Sequence, residues 1–121
     1  MPTGIYPHIN RPSFEWKHTP KAKIHPSNII IAWAAGIIEG EGSFYRHKGS
    51  QTVSASQKEL DVLFRLQEIF GGNITRAPKG IHQWKANGAR ARGIMMTIYL
   101  FMTHRRKIQI RKALGREQRW N

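Results

Sequence analysis

The chain of 121 residues has the length of one domain, and its apolar fraction of 40% is enough to form a core. It contains 20 Lys and Arg residues but only 7 Asp and Glu residues, which gives a net charge of +13. A surface this basic attracts polyanions, so nucleic acid is the expected partner and an anionic membrane surface is the second choice. The absence of cysteine excludes disulfides, Cys-type zinc sites and thiol catalysis.

The cellular location is predicted from hydropathy. No apolar run reaches the roughly 18 residues that a membrane-spanning helix needs. The first ten residues also lack the apolar core of a signal peptide. We therefore expect an intracellular protein that does not insert into a membrane.

Residues 1–26 differ in composition from the rest of the chain. They contain five of the six prolines and four Lys or Arg residues against one acid. Because proline interrupts helices, this segment is predicted to be an extended basic arm that precedes a single domain over residues 27–121. The composition leaves three roles open for the arm: a contact with DNA, a cover for a partner subunit, or a solvated tail.

The first predicted elements are a helix and two strands. The helix starts at Ser27 or Asn28, both good N-cap residues, and ends at the glycines at positions 40 and 42. Two strand-like runs follow, SFYRHK and QTVSASQ. Alternation in the second run predicts that Thr52 and Ser54 lie on a solvent-exposed face.

The remaining elements repeat this order. Ser56 and Glu59 form a potential capping box, which predicts a second helix from Gln57 to the glycines at 71 and 72. Two more strands, NITRAPK and IHQWKA, follow, and Pro78 confines the first of them to a sheet edge. A third helix over about residues 89–102 and a basic fourth helix, HRRKIQIRKAL, complete the chain. The pattern predicts an α+β fold with an antiparallel sheet covered on one face by helices.

The first helix has two unusual features. Ala32, Gly36 and Gly40 form a strip without large side chains, although glycine inside a helix costs roughly 1 kcal/mol relative to alanine. Close approach of another helix would offset this cost, either within the subunit or from a second one. Glu39 and Glu41 lie at the helix C-terminus, where the helix dipole disfavours carboxylates. A bound cation would reverse that penalty, whereas two merely exposed glutamates would need no explanation.

The run AAGIIEGEG, residues 34–42, resembles the signature of the LAGLIDADG homing endonucleases, with Glu at both Asp positions and Ala at the leading Leu. The resemblance extends over residues 28 to about 116, because the predicted order αββαββα is also that of the family. The family fold has an antiparallel sheet that forms a DNA-binding saddle. In this chain an extra C-terminal helix follows, and the arm of residues 1–26 has no counterpart in the motif.

The resemblance implies an active site that hydrolyses phosphodiester bonds with divalent metal. The family's metal-binding acid corresponds to Glu41, and the backbone carbonyl of Gly40 is a further candidate ligand for Mg²⁺, with Mn²⁺ as a substitute. Gln57 corresponds to the polar residue that orders water near the metals. A basic residue enters the last helix beside the active site, for which Arg105 is the best candidate and Arg106 and Lys107 are alternatives.

One copy of the motif implies a homodimer, because cutting both DNA strands takes two active sites. The expected partner is double-stranded DNA with a long, nearly palindromic target. The residues expected at the dimer interface are Ala32, Ala35, Gly36 and Gly40. The residues expected to contact DNA are Tyr45, His47, Thr52, Ser54, Asn73, Thr75, Gln83, Lys85, Arg106 and Lys107. Arg46 and Lys48 leave the facing of the first strand ambiguous, so Phe44 could take the place of Tyr45.

The sequence is also compatible with a protein that binds nucleic acid without cutting it. An intron RNA maturase or a repressor on the same fold would keep the charge and the architecture, and a generic basic RNA-associated protein would need only the charge. The presence of both Glu39 and Glu41 favours the endonuclease.

Overall fold

The computed structural model describes residues 21–22 and 26–115, so the predicted arm of residues 1–26 falls almost wholly outside the described residues. No helix within the described residues is both long and apolar enough to cross a membrane. The elements are, in chain order, α1 (Asn28–Glu41), β1 (Gly42–His47), β2 (Ser50–Gln57), α2 (Leu60–Phe70), β3 (Asn73–Arg76), β4 (His82–Asn87), α3 (Gly88–Ile98) and α4 (His104–Ala113). Short 3₁₀ turns cover Pro78–Gly80 and Tyr99–Phe101.

The four strands form one antiparallel sheet in the order β1-β2-β4-β3. This arrangement confirms the predicted α+β class and the predicted order of elements. It also confirms that β3, which precedes Pro78, is an edge strand, where a missing backbone donor interrupts no ladder. The two central strands are therefore β2 and β4.

The core lies between the helices and one face of the sheet. Val53 and Ala55 of β2 and Trp84 and Ala86 of β4 are at most 1% exposed and face the helices. The indole of Trp84 donates a hydrogen bond of 2.8 Å to the carbonyl oxygen of Gly71, so the largest core side chain leaves no buried donor unpaired. The helices contribute further buried residues, among them Ile38, Leu63, Leu66, Met95, Ile98 and Ile110.

The boundaries of two helices differ from the prediction. The capping box at Ser56 and Glu59 does not form, because β2 continues through Gln57, which pairs with His82 of β4. Helix α2 begins only at Leu60, and its N-cap residue Glu59 makes no side-chain capping bond. Extension of the sheet ladder has thus displaced the helix start by three residues.

The third helix also differs in part. Its regular turns end at Ile98, and a 3₁₀ turn carries the chain to Phe101. Ile94, Met95 and Ile98 are buried as the periodicity predicts, whereas Phe101 is 49% exposed. The change of helical period at Tyr99 rotates Phe101 away from the core face.

Candidate functional site

Helix α1 passes into strand β1 without a loop. Gly42 is both the C-cap of α1 and the first residue of β1, and its N–H donates to the carbonyl of Ile38. A Cβ at position 42 would lie 2.6 Å from that carbonyl oxygen, which explains the glycine by close approach. Gly40, by contrast, lies inside the helix, so the prediction that both glycines end α1 holds for Gly42 alone.

Glu39 joins the end of α1 to the start of α4. Its carboxylate accepts hydrogen bonds of 2.9 Å from both the backbone N–H and the hydroxyl of Thr103, the N-cap residue of α4. Burial raises the pKa of Glu39, but the two bonds from Thr103 and the positive charges of Arg106 and Arg105 outweigh it and lower the pKa below its ordinary value. Glu39 is therefore held as a carboxylate by these groups.

Arg106 completes this junction from the side of α4. Its Nε donates to the backbone carbonyl of Glu39 at 3.0 Å, and its Nη1 donates to Gln109 at 2.9 Å. The guanidinium also lies 5.8 Å from the ring centroid of Phe44. Arg106 is only 7% exposed, and its Nε and Nη1 donate inside the fold, so the structure favours a role in this junction over the predicted contact with DNA.

The neighbouring basic residues differ in their surroundings. The ammonium of Lys107 lies 5.4 Å from the ring centroid of Tyr99, and Lys107 is half-buried. Arg105 is exposed and makes no hydrogen bond or ion pair with any residue that the structure describes. Its charge nevertheless acts on Glu39, which locates it beside the end of α1. Of the three alternatives, Arg105 is the one with an uncommitted guanidinium at this end.

Glu41 is the last residue of α1 and is exposed. Across residues 21–22 and 26–115 it has no hydrogen-bond or ion-pair partner, in contrast to Glu39. The carbonyl of Gly40 belongs to the same last turn, where carbonyls lack a helical N–H partner. One end of α1 thus carries a carboxylate and a carbonyl oxygen close together in the chain, with Arg105 nearby.

The oxygen donors at this end fit a magnesium ion. Mg²⁺ in proteins typically takes one or two carboxylates, keeps several waters and completes its coordination with substrate phosphates. The described residues contain no group of three or more His, Cys, Asp or Glu side chains that could enclose a metal. With the described residues, Glu41 and Gly40 would therefore hold such an ion together with further ligands such as water and substrate phosphates.

The sheet register relates Gln57 to the same end of α1. Gly42 pairs with Ala55, so β2 continues two residues past the first residue of β1, toward Glu41. Gln57 ends that extension and is half-buried. This register is compatible with the prediction, implied by the family resemblance, that Gln57 lies near a metal held by Glu41.

The sheet face opposite the helices is polar, and we call it the polar face. The register aligns its side chains in rows across the strands: Ser43 with Ser54, Lys85 and Asn73; Tyr45 with Thr52 and Asn87; Ser56 with Gln83 and Thr75; and His47 with Ser50. All eight strand residues expected to contact DNA lie on this face. The ambiguity in β1 is resolved, because Phe44 is 9% exposed in the core and Tyr45 is 40% exposed.

Two residues of the polar face are less accessible than predicted. Thr52 and Ser54 are 6% and 5% exposed, so the prediction that they lie open to solvent is wrong. They lie on the central strand β2, where Thr52 is flanked by Tyr45 and Asn87, and Ser54 by Ser43 and Lys85. The hydroxyl of Thr52 donates to the Oδ1 of Asn87 at 2.9 Å, which occupies it within the sheet. The more accessible residues among those expected to contact DNA are on the other three strands, β1, β3 and β4.

One side of α1 is exposed along its length. Gly36 and Gly40 have nothing within 4 Å of an added Cβ, and Ala32 is exposed beside them. Ala35 is 1% exposed and packs in the core, so its assignment to a subunit interface is wrong. Two larger apolar residues of α1, Ile29 and Trp33, are 82% and 39% exposed. The sequence analysis missed both, although Ile29 lies three residues before Ala32 and Trp33 three residues before Gly36, which puts them on the same side of the helix.

Comparison with known proteins gives matches among solved structures only. No family model matches the chain, and no curated protein matches it. The homing endonuclease I-CvuI, solved with DNA targets in the presence of Mg or Ca, is 14% identical and superposes with a TM-score of 0.58. That match covers 72% of this chain, which spans 64% of the I-CvuI chain.

Two further homing endonucleases superpose on the chain. I-TnaI is 17% identical with a TM-score of 0.54, over 70% of this chain and 69% of that one. The group I intron-encoded homing endonuclease I-CeuI, solved with DNA, is 12% identical with a TM-score of 0.54, over 81% of this chain and 58% of that one. Together with the order of elements and the sheet topology, these matches show that the chain has the LAGLIDADG homing endonuclease fold.

Proposed function

We propose that the protein is a site-specific homing endonuclease that cuts both strands of DNA as a homodimer with a divalent metal. The observation that carries this proposal is the end of α1. There Glu41 is exposed and unpartnered among the described residues, while its neighbour Glu39 is engaged by Thr103 and Arg106. Glu39 thus stabilises the fold, whereas Glu41, two residues later, is available to bind a metal.

The chain's own groups suit hydrolysis of a phosphodiester. Glu41 and the Gly40 carbonyl supply oxygen ligands for Mg²⁺ or Mn²⁺, and the ion when bound neutralises phosphate charge and activates water. Arg105 supplies a cation that can bind a phosphate oxygen. The side-chain amide of Gln57 can both donate and accept, so it can orient a water molecule. Each of these roles is a proposal that substitution can test.

The exposed side of α1 supports a second subunit. Ile29 and Trp33 are large apolar residues on the surface, and Gly36 and Gly40 leave room for the backbone of another helix. Contact between two such helices would bury these side chains and bring two Glu41 carboxylates toward one twofold axis. Both strands of a nearly palindromic DNA target could then be cut.

The polar face supports binding to the DNA major groove. Tyr45, Gln83 and Lys85 present hydroxyl, amide and ammonium groups on one side of an antiparallel sheet. Side chains of these types bind base edges in the major groove, which is wide enough for a pair of strands. A net charge of +13 adds the attraction for phosphates that holds such a sheet on DNA.

A cleavage assay with a selected target tests the proposal. The purified protein is incubated with a randomised duplex library, and molecules cut in the presence of Mg²⁺ are sequenced. We expect one family of nearly palindromic sites with both strands cut, and no cutting when the metal is chelated. Bound but intact duplexes under every metal condition would instead identify a non-catalytic nucleic-acid-binding protein.

The variant Glu41→Gln tests the assigned ligand on that target. The amide keeps the shape of the side chain but loses the charge that holds the metal, so we expect cleavage to be lost while affinity for the target is kept. Glu59→Gln, which makes the same change at an exposed N-cap residue without a side-chain capping bond, is the control and should cut normally. Full activity of Glu41→Gln would exclude Glu41 from the reaction.

A further inference from the structure

Two lysines have an unusual backbone conformation. Among the described residues, only Lys48 and Lys79 combine a side chain with a positive φ, of 52° and 67° respectively. Each is followed by a glycine that also has a positive φ, Gly49 at 81° and Gly80 at 74°. The dipeptide Lys-Gly with a positive φ at both residues therefore occurs twice.

Both dipeptides form the tip of a β-hairpin. Lys48 and Gly49 join β1 to β2 between the paired residues His47 and Ser50. Lys79 and Gly80 lie in the longer connection between β3 and β4, residues 77–81, where the N–H of Ala77 donates to the carbonyl of Ile81 and the N–H of Ile81 to that of Pro78. Two central residues at positive φ are typical of the type I′ turn, which fits the twist of antiparallel strands.

Turn formation explains the glycines but not the lysines. The first central position of a type I′ turn favours Asn, Asp or Gly, because other side chains are crowded at positive φ. Lys48 and Lys79 are both exposed, and neither makes a hydrogen bond or ion pair with a residue that the structure describes. Neither lysine therefore stabilises the fold through a contact, and each occupies a position that Asn would fill with less strain.

The two tips lie at opposite ends of the sheet. Strand β2 begins beside Lys48 and Gly49 and runs antiparallel to β4, which begins just after Lys79 and Gly80. The eight residues of β2 span roughly 26 Å at 3.3 Å per residue. The polar face thus has one positively charged tip at each end, on opposite edges of the sheet.

We propose that Lys48 and Lys79 each bind a phosphate of double-stranded DNA, one at either end of the polar face. The inference rests on the proposed binding of DNA by that face and is independent of cleavage. A turn ends each pair of strands, and the lysine in that turn puts a cation at the end of the sheet. Two contacts this far apart would fix the direction of the duplex across the strands.

The substitutions Lys48→Asn and Lys79→Asn separate the turn from the charge. Asn suits the backbone conformation better, so we expect the thermal unfolding midpoint to stay the same or rise. Affinity for a labelled duplex is measured by fluorescence anisotropy without divalent metal, so that no DNA is cut, at several salt concentrations. Each lost phosphate contact should lower the slope of log Kd against log salt by about 0.9.

Lys112→Asn is the matched control, because Lys112 is exposed in the last turn of α4, in the helical layer away from the polar face. It removes the same charge and should leave the salt slope unchanged. Lys48→Arg should keep the wild-type slope, since it keeps the cation. If the wild type binds duplex DNA but the slopes of both Asn variants are unchanged, the proposed phosphate contacts of Lys48 and Lys79 are wrong and the proposed function still stands. A wild type without affinity for duplex DNA would overturn the proposed function as well.

Discussion

Arg106 contacts both the backbone carbonyl and the side-chain carboxylate of Glu39. The Nε of Arg106 donates to the carbonyl oxygen of Glu39 at 3.0 Å and lies 3.8 Å from the carboxylate oxygen Oε2. The arginine thereby satisfies one of the helix-end carbonyls of α1 and, with Thr103, fixes the start of α4 against the end of α1. The adjacent arginines therefore differ in role: Arg106 stabilises the junction of α1 and α4, whereas Arg105 is left available for the proposed active site.

The variants Arg106→Ala and Arg105→Ala should differ in stability. Arg106 is buried and hydrogen-bonded to two partners, so its loss should lower the free energy of unfolding by about 1.5 to 3 kcal/mol. Arg105 is exposed without a partner in the described structure, so its loss should change that free energy by less than about 0.5 kcal/mol. Urea unfolding measures both values.

Cleavage by the same two variants completes the comparison. Arg105→Ala should cut the selected target more slowly although it remains folded. If Arg106→Ala were as stable as the wild type, or if Arg105→Ala cut at the wild-type rate, the assignment of tasks would be incorrect.

The junction at Glu39 should make stability depend on pH. Because the pKa of Glu39 is lowered in the folded state, the ionised group stabilises the protein at pH values above its ordinary pKa of about 4.5. This contribution is lost as the pH falls through the lowered pKa. Thermal unfolding of the wild type and of Glu39→Gln should therefore differ by a constant amount above about pH 5 and converge in acid. A difference that does not depend on pH would argue against the charge of Glu39.

Gly36→Leu tests the exposed side of α1. Nothing lies within 4 Å of an added Cβ at Gly36, so the protomer should remain folded while two α1 helices are kept apart. We expect light scattering to report a monomer and cleavage to be lost. Gly93→Leu is the control, because Gly93 also lies inside a helix with nothing within 4 Å of an added Cβ, but on α3. A dimer that survives Gly36→Leu, or that is lost in Gly93→Leu, would contradict a subunit contact through α1.

Gln83→Ala should alter sequence preference without unfolding the protein. Gln83 lies on the polar face between Ser56 and Thr75 and is only half-buried. Loss of a side-chain contact to a base should weaken binding to the selected target by about 1 to 3 kcal/mol and leave non-target binding unchanged. Competition binding against targets substituted at each base pair measures the effect, and an equal loss on all sequences would indicate a phosphate contact instead.

The order of elements was predictable because the signals were local. Alternation along QTVSASQ and the glycine pair after α2 depend on residues close in the chain, and the structure has the corresponding β2 and helix end. The capping box at Ser56 was also a local signal, yet it was overruled by the pairing of Gln57 with His82. That pairing joins residues 25 positions apart, which no local pattern contains.

In the candidate site, too, the features set by neighbouring residues were predictable, and those set by contacts between distant residues were not. The end of α1 could be recognised from the glutamates and glycines around it. The tasks of Arg105 and Arg106 could not, because they depend on Glu39 and Thr103, which are 64 residues apart. Neither could the burial of Thr52, since a polar residue on an alternating strand gives no indication of how long its neighbours across the sheet, here Tyr45 and Asn87, are.

The direct passage from α1 into β1 at Gly42 has a consequence for where DNA would be cut. Gly42 alone separates Glu41 from the first side chain of the polar face, and its contact with Ile38 leaves no space for a larger residue. The proposed metal ligand and the side chains that would read bases therefore belong to one rigid segment. The scissile bond would then lie at a constant number of base pairs from the recognised sequence, so that variants with altered base preference keep the same overhang.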